Sequence, residues 1–367
     1  MRTILTATFL SICTFVSAQI ANGFYRVHNY KTERYVYVYD NTGKINISTT
    51  SADMGAIQLW KDHKRTISDP ASVIYVENKG SNIYNLHSQG TSVYEIINYN
   101  VQVYPKDGTY QLYAEGKYLS DDETSNVPDG QLGTISKGDY RKWVVTPIDI
   151  ENNFFGIAPN LTVGEKKYKA FYADFAFSFA SKNMKAFYIS ETYKHIAVIK
   201  EIENGIIAAN TPVIIECNSD EAVDNKLNLY ASGGVKANGN MLKGVYFNNE
   251  RRPKSPAART KYDPTSMRIL GITESGQLGF VTSQEQYLAA NEAYLYLNED
   301  APAEMVIMTE AELAEFKANE GSSIASVKTD HVRKGVFSIT GVKVADIWEE
   351  NLPKGVYLVN GKKIIKR

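Results

Sequence analysis

The chain has 367 residues, 43% hydrophobic and 22% charged, with a formal net charge of -1. That length suits two or three domains, and that composition excludes wholesale disorder. The near-zero charge excludes the global basic field that gathers nucleic acid or an anionic membrane, so no nucleic-acid partner is expected.

Residues 1–18 read as a signal peptide. Arg2 supplies a positive start, Ile4 to Val16 is apolar and uncharged, and Val16-Ser17-Ala18 forms a small-residue cleavage site before Gln19. The apolar run is shorter than the roughly 20 residues that a bilayer span needs. No later stretch reaches that length, and no transmembrane segment is expected. Cys13 leaves with the signal, so Cys217 is the one cysteine of the mature chain and no intramolecular disulfide is expected. Its setting, Pro212-Val213-Ile214-Ile215-Glu216-Cys217, reads as a buried strand in which the thiol is a small hydrophobe.

Residues 19–150 alternate short Tyr-, Val- and Ile-rich runs with Gly, Asn and Asp punctuation, the pattern of strands. Tyrosine, at 25 residues against 3 tryptophans, suits both half-buried strands and binding surfaces. Asn41-Thr42-Gly43 and Asp107-Gly108 mark tight turns. A unit recurs loosely. Gly23-Phe24-Tyr25-Arg26-Val27 precedes Arg34-Tyr35-Val36, Val73-Ile74-Tyr75-Val76 precedes Ile83-Tyr84, and Gly108-Thr109-Tyr110-Gln111-Leu112 precedes Lys117-Tyr118-Leu119. Such spacing, about 35–50 residues, fits a propeller, a trefoil or an array.

Residues 151–320 carry further strand runs, including Lys169 to Phe177, Lys185 to Ile189, Ala197 to Ile202 and Ala290 to Leu297. One stretch reads as a good helix. It opens at Thr309, has Glu310 and Glu312 in its first turn, and places Leu313 and Phe316 on one face. Gly321-Ser322-Ser323 reads as a linker. Residues 321–367 then give Gly335 to Val344, Gly355 to Val359 and a basic final strand, with an Asn360-Gly361 hairpin turn.

Candidate chemistry is sparse. The five histidines are scattered without metal-ligand spacing, and His63 sits in Lys61-Asp62-His63-Lys64-Arg65, which reads as a solvated basic loop. No nucleophile elbow is present. Asp121-Asp122-Glu123, with Asn126 and Asp129, offers oxygen ligands, but it lacks the EF-hand spacing and reads as a solvated loop. Arg251-Arg252-Pro253-Lys254 to Lys261 reads as a basic, proline-broken loop. No catalytic residue, metal site or cofactor is expected, and the chain is not expected to be an enzyme.

Three resemblances organise these segments. Gly23 to Val27, Asn29, Thr32 and Arg34-Tyr35-Val36 resemble the opening strands of ricin-type β-trefoil domains, and Gln58-Leu59-Trp60 looks like their Gln-x-Trp signature. Lys142-Trp143 lacks the glutamine, and the middle unit has no tryptophan. Phe171 to Phe175, Ile207 to Val213 and Ala290 to Leu295 together resemble a β-sandwich-like module of exported proteins from Gram-negative gut and oral anaerobes. The final segment resembles the C-terminal sorting domain of type IX secretion cargo.

The resemblances imply an all-β chain, with a β-trefoil-like barrel over 19–150, a β-sandwich-like domain over 151–320 and a small β-sandwich tail over 321–367. They imply a secreted or outer-surface protein that meets export machinery through its tail and a glycan or cell-surface protein through its barrel. Tyr35, Trp60 and Tyr118 are the candidate ligand-binding residues, although a trefoil fills its core with just such rings. The alternative is a structural or adhesion-type surface protein with no small-molecule ligand.

Overall fold

The computed structural model describes residues 19–38, 57–60, 63–90, 101–114, 117–121, 130–131, 138–203, 205–246, 260–298, 301–328, 336–338, 343–345, 352–359 and 362–366. The expected signal peptide, the Asn41-Thr42-Gly43 and Asn360-Gly361 turns and the Arg251 to Arg259 stretch lie outside them. The described chain is mostly β, as expected for an all-β protein. It divides into two compact units, Met1–Thr309 and Glu310–Arg367.

The first unit opens with β1 (Gly23–Asn29), β2 (Tyr35–Val38), β3 (Ile57–Trp60), the helical turn α1 (His63–Thr66), β4 (Ile74–Gly80), β5 (Ile83–Ser88), β6 (Val101–Lys106), β7 (Thr109–Ala114), β8 (Lys117–Tyr118), β9 (Gly130–Gln131) and β10 (Lys142–Pro147). β1 pairs with β4, β4 with β5, β5 with β6, β6 with β7, β7 with β10, and β10 back with β1, all antiparallel. The sheet therefore closes into a barrel and leaves none of these strands with an open edge. The β6–β7 hairpin shows how sequence sets register. Asp107 and Gly108 both take positive φ, 49° and 77°, so Lys106 faces Thr109 across a two-residue turn.

Alternation along the strands fills the barrel. Tyr25, Val27, Ile74, Val76, Tyr84, Leu86, Val103, Leu112 and Trp143 are buried in one cluster. The Trp143 indole N–H donates to the Leu119 carbonyl at 3.1 Å, so its polar atom is satisfied inside the core.

The same unit continues with β11 (Phe155–Gly156), β12 (Leu161–Val163), β13 (Lys166–Phe171), β14 (Ala176–Phe179), β15 (Lys185–Tyr193), β16 (Ile196–Glu201), β17 (Val213–Cys217), β18 (Lys226–Tyr230), β19 (Leu242–Val245), β20 (Met267–Ile272), β21 (Leu278–Val281), β22 (Glu292–Tyr296) and β23 (Glu304–Met308). Ten of these strands form one sheet in the order β12-β13-β17-β15-β16-β23-β21-β20-β22-β19, and β11-β18-β14 form a small second sheet. β17 is buried on both faces. Val213, Ile215 and Cys217 point to one cluster with Phe171 and Phe175, and Ile214 points to another with Tyr168 and Leu295. That explains its near-continuous apolar run. Burial pushes the Cys217 thiol up to about 12, which makes it a packing group rather than a nucleophile.

Residues on either side of position 150 share a core. The outward faces of β1 and β4 present Phe24 and Tyr75, which with Val73, just before β4, join Phe155, Phe171 and Phe175 in a single cluster. Phe24 meets Tyr75 and Phe175 edge-on, at centroid distances of 5.1 and 6.2 Å. Arg26, also on the outward face of β1, is 1% exposed and donates to the Thr66 carbonyl and to both oxygens of Asn153. Burial lowers its pKa to about 10.

The second unit holds α2 (Glu310–Lys328) and a small sheet of β24 (Val336–Ser338), β25 (Lys343–Ala345), β26 (Gly355–Val359) and β27 (Lys362–Lys366), ordered β25-β24-β26-β27. The helix starts directly after Thr309 and buries Leu313, as expected. It then runs through Gly321-Ser322-Ser323, which is helix and not a linker break.

Two further expectations are corrected. Asp121 is not solvated. It is 0% exposed and takes the Arg34 guanidinium through both oxygens, with Nε at 2.8 Å, plus the Thr32 hydroxyl at 2.5 Å. Burial of the pair ties the β1–β2 turn to the segment after β8. The basic stretch around His63 is likewise no free loop. Lys64 is exposed, but Arg65 pairs with Asp69 at 3.0 Å and lies 5.7 Å over the Tyr37 ring, and Thr66 is buried. Replacing Asp121 by alanine leaves the largely buried Arg34 uncompensated, and about 3 kcal/mol of stability should be lost. Urea unfolding followed by fluorescence checks this; a loss under about 1 kcal/mol would place the pair among weak surface bridges.

Candidate functional site

The structure places Tyr35 and Trp60 as direct cross-strand partners on β2 and β3. The Tyr35 ring also lies 4.9 Å from the His28 ring. Tyr118 stands on β8, which pairs only with β7 among the described strands. Its neighbours are Tyr113, edge-on at 5.0 Å, and the Arg141 guanidinium, 5.1 Å over its ring. The two sets are linked through the backbone segment that carries Asp121, three residues beyond Tyr118 and bonded to Arg34, the neighbour of Tyr35.

Around Tyr118 an outward aromatic face emerges. The β6–β7 register sets Tyr104 opposite Gln111 and Gln102 opposite Tyr113, and the next pairing sets Gln111 opposite Lys142 of β10. Tyr104 is 39% exposed, packs 6.4 Å from Tyr113, and donates its hydroxyl hydrogen to Gln102 Oε1 at 2.6 Å. Tyr104, Tyr113 and Tyr118 thus form a ladder rimmed by Gln102, Gln111 and Arg141. Among the described residues, the buried Arg141 Nε has no hydrogen-bond partner.

The ladder's chemistry is that of a binding face. Flat rings offer apolar area at little cost in side-chain entropy, and the amides and guanidinium supply oriented donors and acceptors. Among the described residues no group of His, Cys, Asp and Glu could hold a metal ion. Tyr104 and Tyr113, which stand beside the sequence candidate Tyr118, were not singled out by sequence reasoning. The signal was the Asp107-Gly108 turn. Once a two-residue turn fixes the register, Gln102, Tyr104, Gln111 and Tyr113 fall on one face by counting in twos.

A second feature lies where the barrel meets the following sheets. Gln89 is fully buried and exchanges amide hydrogen bonds with Asn291, at 3.1 and 3.5 Å, while its carbonyl oxygen accepts from the Asp174 backbone N–H. Asn291 also donates to the Tyr172 carbonyl, and Asn210 donates to Asp174 Oδ1 at 2.6 Å. The Tyr172 phenol donates to Asn210 Oδ1 at 2.9 Å, and burial, reinforced by the Asp174 charge, pushes that phenol up to about 12. Gln89, Asn210 and Asn291 all adopt positive φ, between 57° and 62°. The three stretches that marked the middle module in the sequence therefore converge on this one buried node.

Comparison with known proteins adds little to the geometry. No family profile matches the sequence, and no curated protein matches it. Among solved structures, a designed 3-fold symmetric protein, ThreeFoil, aligns with 17% identity over 35% of this chain and 100% of its own, at a TM-score of 0.25. A mosquitocidal holotoxin aligns with 10% identity over 75% of this chain and 40% of its own length, at a TM-score of 0.27. Cry35Ab1 aligns with 10% identity over 50% of this chain and 68% of its own, at a TM-score of 0.26. At these scores the alignments carry no inference about function.

Replacing Gln89 by alanine removes one half of the amide pair and leaves Asn291 and the Asp174 N–H short of partners. A loss of about 2–3 kcal/mol is expected. Chemical denaturation measures it, and a neutral result would mean that water replaces the lost amide without cost.

Proposed function

We propose that this chain is a secreted or surface-delivered, non-catalytic binding protein whose N-terminal barrel takes a glycan. The observation that carries the reading is the outward ladder of Tyr104, Tyr113 and Tyr118 with Arg141 and two glutamines at its rim. A pyranose presents an apolar C–H face and a rim of hydroxyls. A ring ladder edged by amides and a guanidinium matches both. Tyr35 and Trp60, cross-strand partners on β2 and β3, are a second place to test.

The closed six-strand ring, together with the recurring strand units at β1, β4 and β7, favours a β-trefoil-like reading of residues 19–150. The large and small sheets of residues 151–320 are read as a β-sandwich-like module. The small glycine-led sheet of β24 to β27 supports a sorting-type tail that engages export machinery. Among the described residues no helix is long and apolar enough to cross a membrane.

A glycan array probed with the full mature chain tests the reading. Selective capture is expected, and Tyr118→Ala or Tyr113→Ala should weaken it about tenfold or more, with Tyr→Phe variants retaining most of it. Silence across the array favours the structural or adhesion-type alternative. Variants that unfold the barrel instead of weakening capture would assign these rings to the core.

A further inference from the structure

The joint between barrel and second module leaves a cleft of about 470 Å³ in which Arg65, Asp69, Pro70, Lys169, Phe171 and Asn291 take part. That volume lies within the roughly 300–1,000 Å³ of small-molecule sites. We propose that this cleft is a second ligand site, separate from the tyrosine ladder, and that it takes a neutral mono- or disaccharide. The inference deepens the glycan-binding reading and places it at a different address.

Charge balance selects the ligand class. On the barrel wall Arg65 is held by Asp69 at 3.0 Å, and on the facing wall Lys169 is held by Glu292 at 2.5 Å. Each cation already has its carboxylate. A charged ligand would have to break a pair or bring an unmatched charge into a partly buried space. A neutral polyol has neither problem. Each of its hydroxyls donates one hydrogen and accepts others, so vicinal hydroxyls suit a wall where donor and acceptor stand side by side about one hydrogen bond apart. Ala158, which is exposed, and the half-buried Ala290 supply the small apolar surface of its lining.

Preorganisation supports the same reading. Asn291 is fixed by Gln89 and by the Tyr172 backbone, Asp69 is fixed by accepting from the Ala71 N–H at 2.9 Å, and both walls belong to one compact unit. Little side-chain freedom is left for a ligand to freeze.

Titration calorimetry of the full mature chain with galactose, N-acetylglucosamine, lactose and glucuronate is the test, with thermal melts to show that each variant folds. Asp69→Asn keeps an acceptor for Ala71 but removes the charge that pairs with Arg65; Lys169→Met disrupts the facing wall independently. Each should weaken binding of a neutral sugar about tenfold, and glucuronate should bind less tightly. Binding lost only in Tyr118→Ala would overturn the cleft and leave the ladder standing. Binding lost in the two cleft variants but intact in Tyr118→Ala, combined with an array unaffected by Tyr118→Ala, would uphold the cleft and overturn the ladder. Tighter binding of glucuronate, or no neutral sugar bound at millimolar concentration, overturns the cleft proposal.

Discussion

The buried contact between Gln89 and Asn291 fixes the geometry on which the rest of the first unit depends. A primary amide placed in a dry interior must find partners for both its oxygen and its nitrogen, or cost more than its packing returns. Here two amides solve the problem for each other, and backbone groups of Tyr172 and Asp174 complete the set. The next residue tightens the constraint. A side chain at Gly90 would overlap the Asp174 carbonyl, so only glycine lets the end of the barrel's β5 segment reach the second module this closely. Apolar packing of Phe24 and Tyr75 on Phe175 supplies area, while the amide pair and Gly90 supply register.

That joint makes the barrel asymmetric. β1 and β4 are buried on both faces, inside against Trp143 and outside against the second module. β6 and β7 keep one face toward solvent, and on that face the sequence puts Tyr104 and Tyr113 beside Gln102, Gln111 and Lys106. The cleft beside Arg65 follows from the same joint, because its walls come from both sides of it. Asp121 performs a parallel task elsewhere in the barrel: by pairing with Arg34 and Thr32 it anchors the segment that carries Tyr118.

Much of the β architecture was legible because it rests on local rules. Period-two burial gave β1, β4 and β7, the Asp107-Gly108 pair gave its hairpin, and the apolar run ending at Cys217 gave a doubly buried strand. The acids after Thr309 gave the start of α2. What stayed hidden depends on partners distant in sequence. Asp121 looks solvated beside Asp122 and Glu123 because nothing nearby hints that Arg34, 87 residues away, neutralises it. Arg65 looks like part of a basic loop until Asp69 and Tyr37 are seen around it. Gly321-Ser322-Ser323 carries weak helix formers, and an established helix runs through them all the same. The sequence singled out Tyr118 as a candidate, but the rings beside it needed the register of β6 against β7, and the cleft needed two modules brought together.

The claim that barrel and second module form one body has a direct test. Trp143 reports the barrel core and the Cys217 thiol reports the second-module core, each buried and each distinct in chemistry. In a variant that keeps Trp143 as its one tryptophan, urea unfolding would be followed by fluorescence and by thiol labelling on the same samples. The account predicts coincident midpoints, with Gly90→Ala lowering both together. Labelling of Cys217 at urea concentrations where Trp143 fluorescence is still native would contradict it.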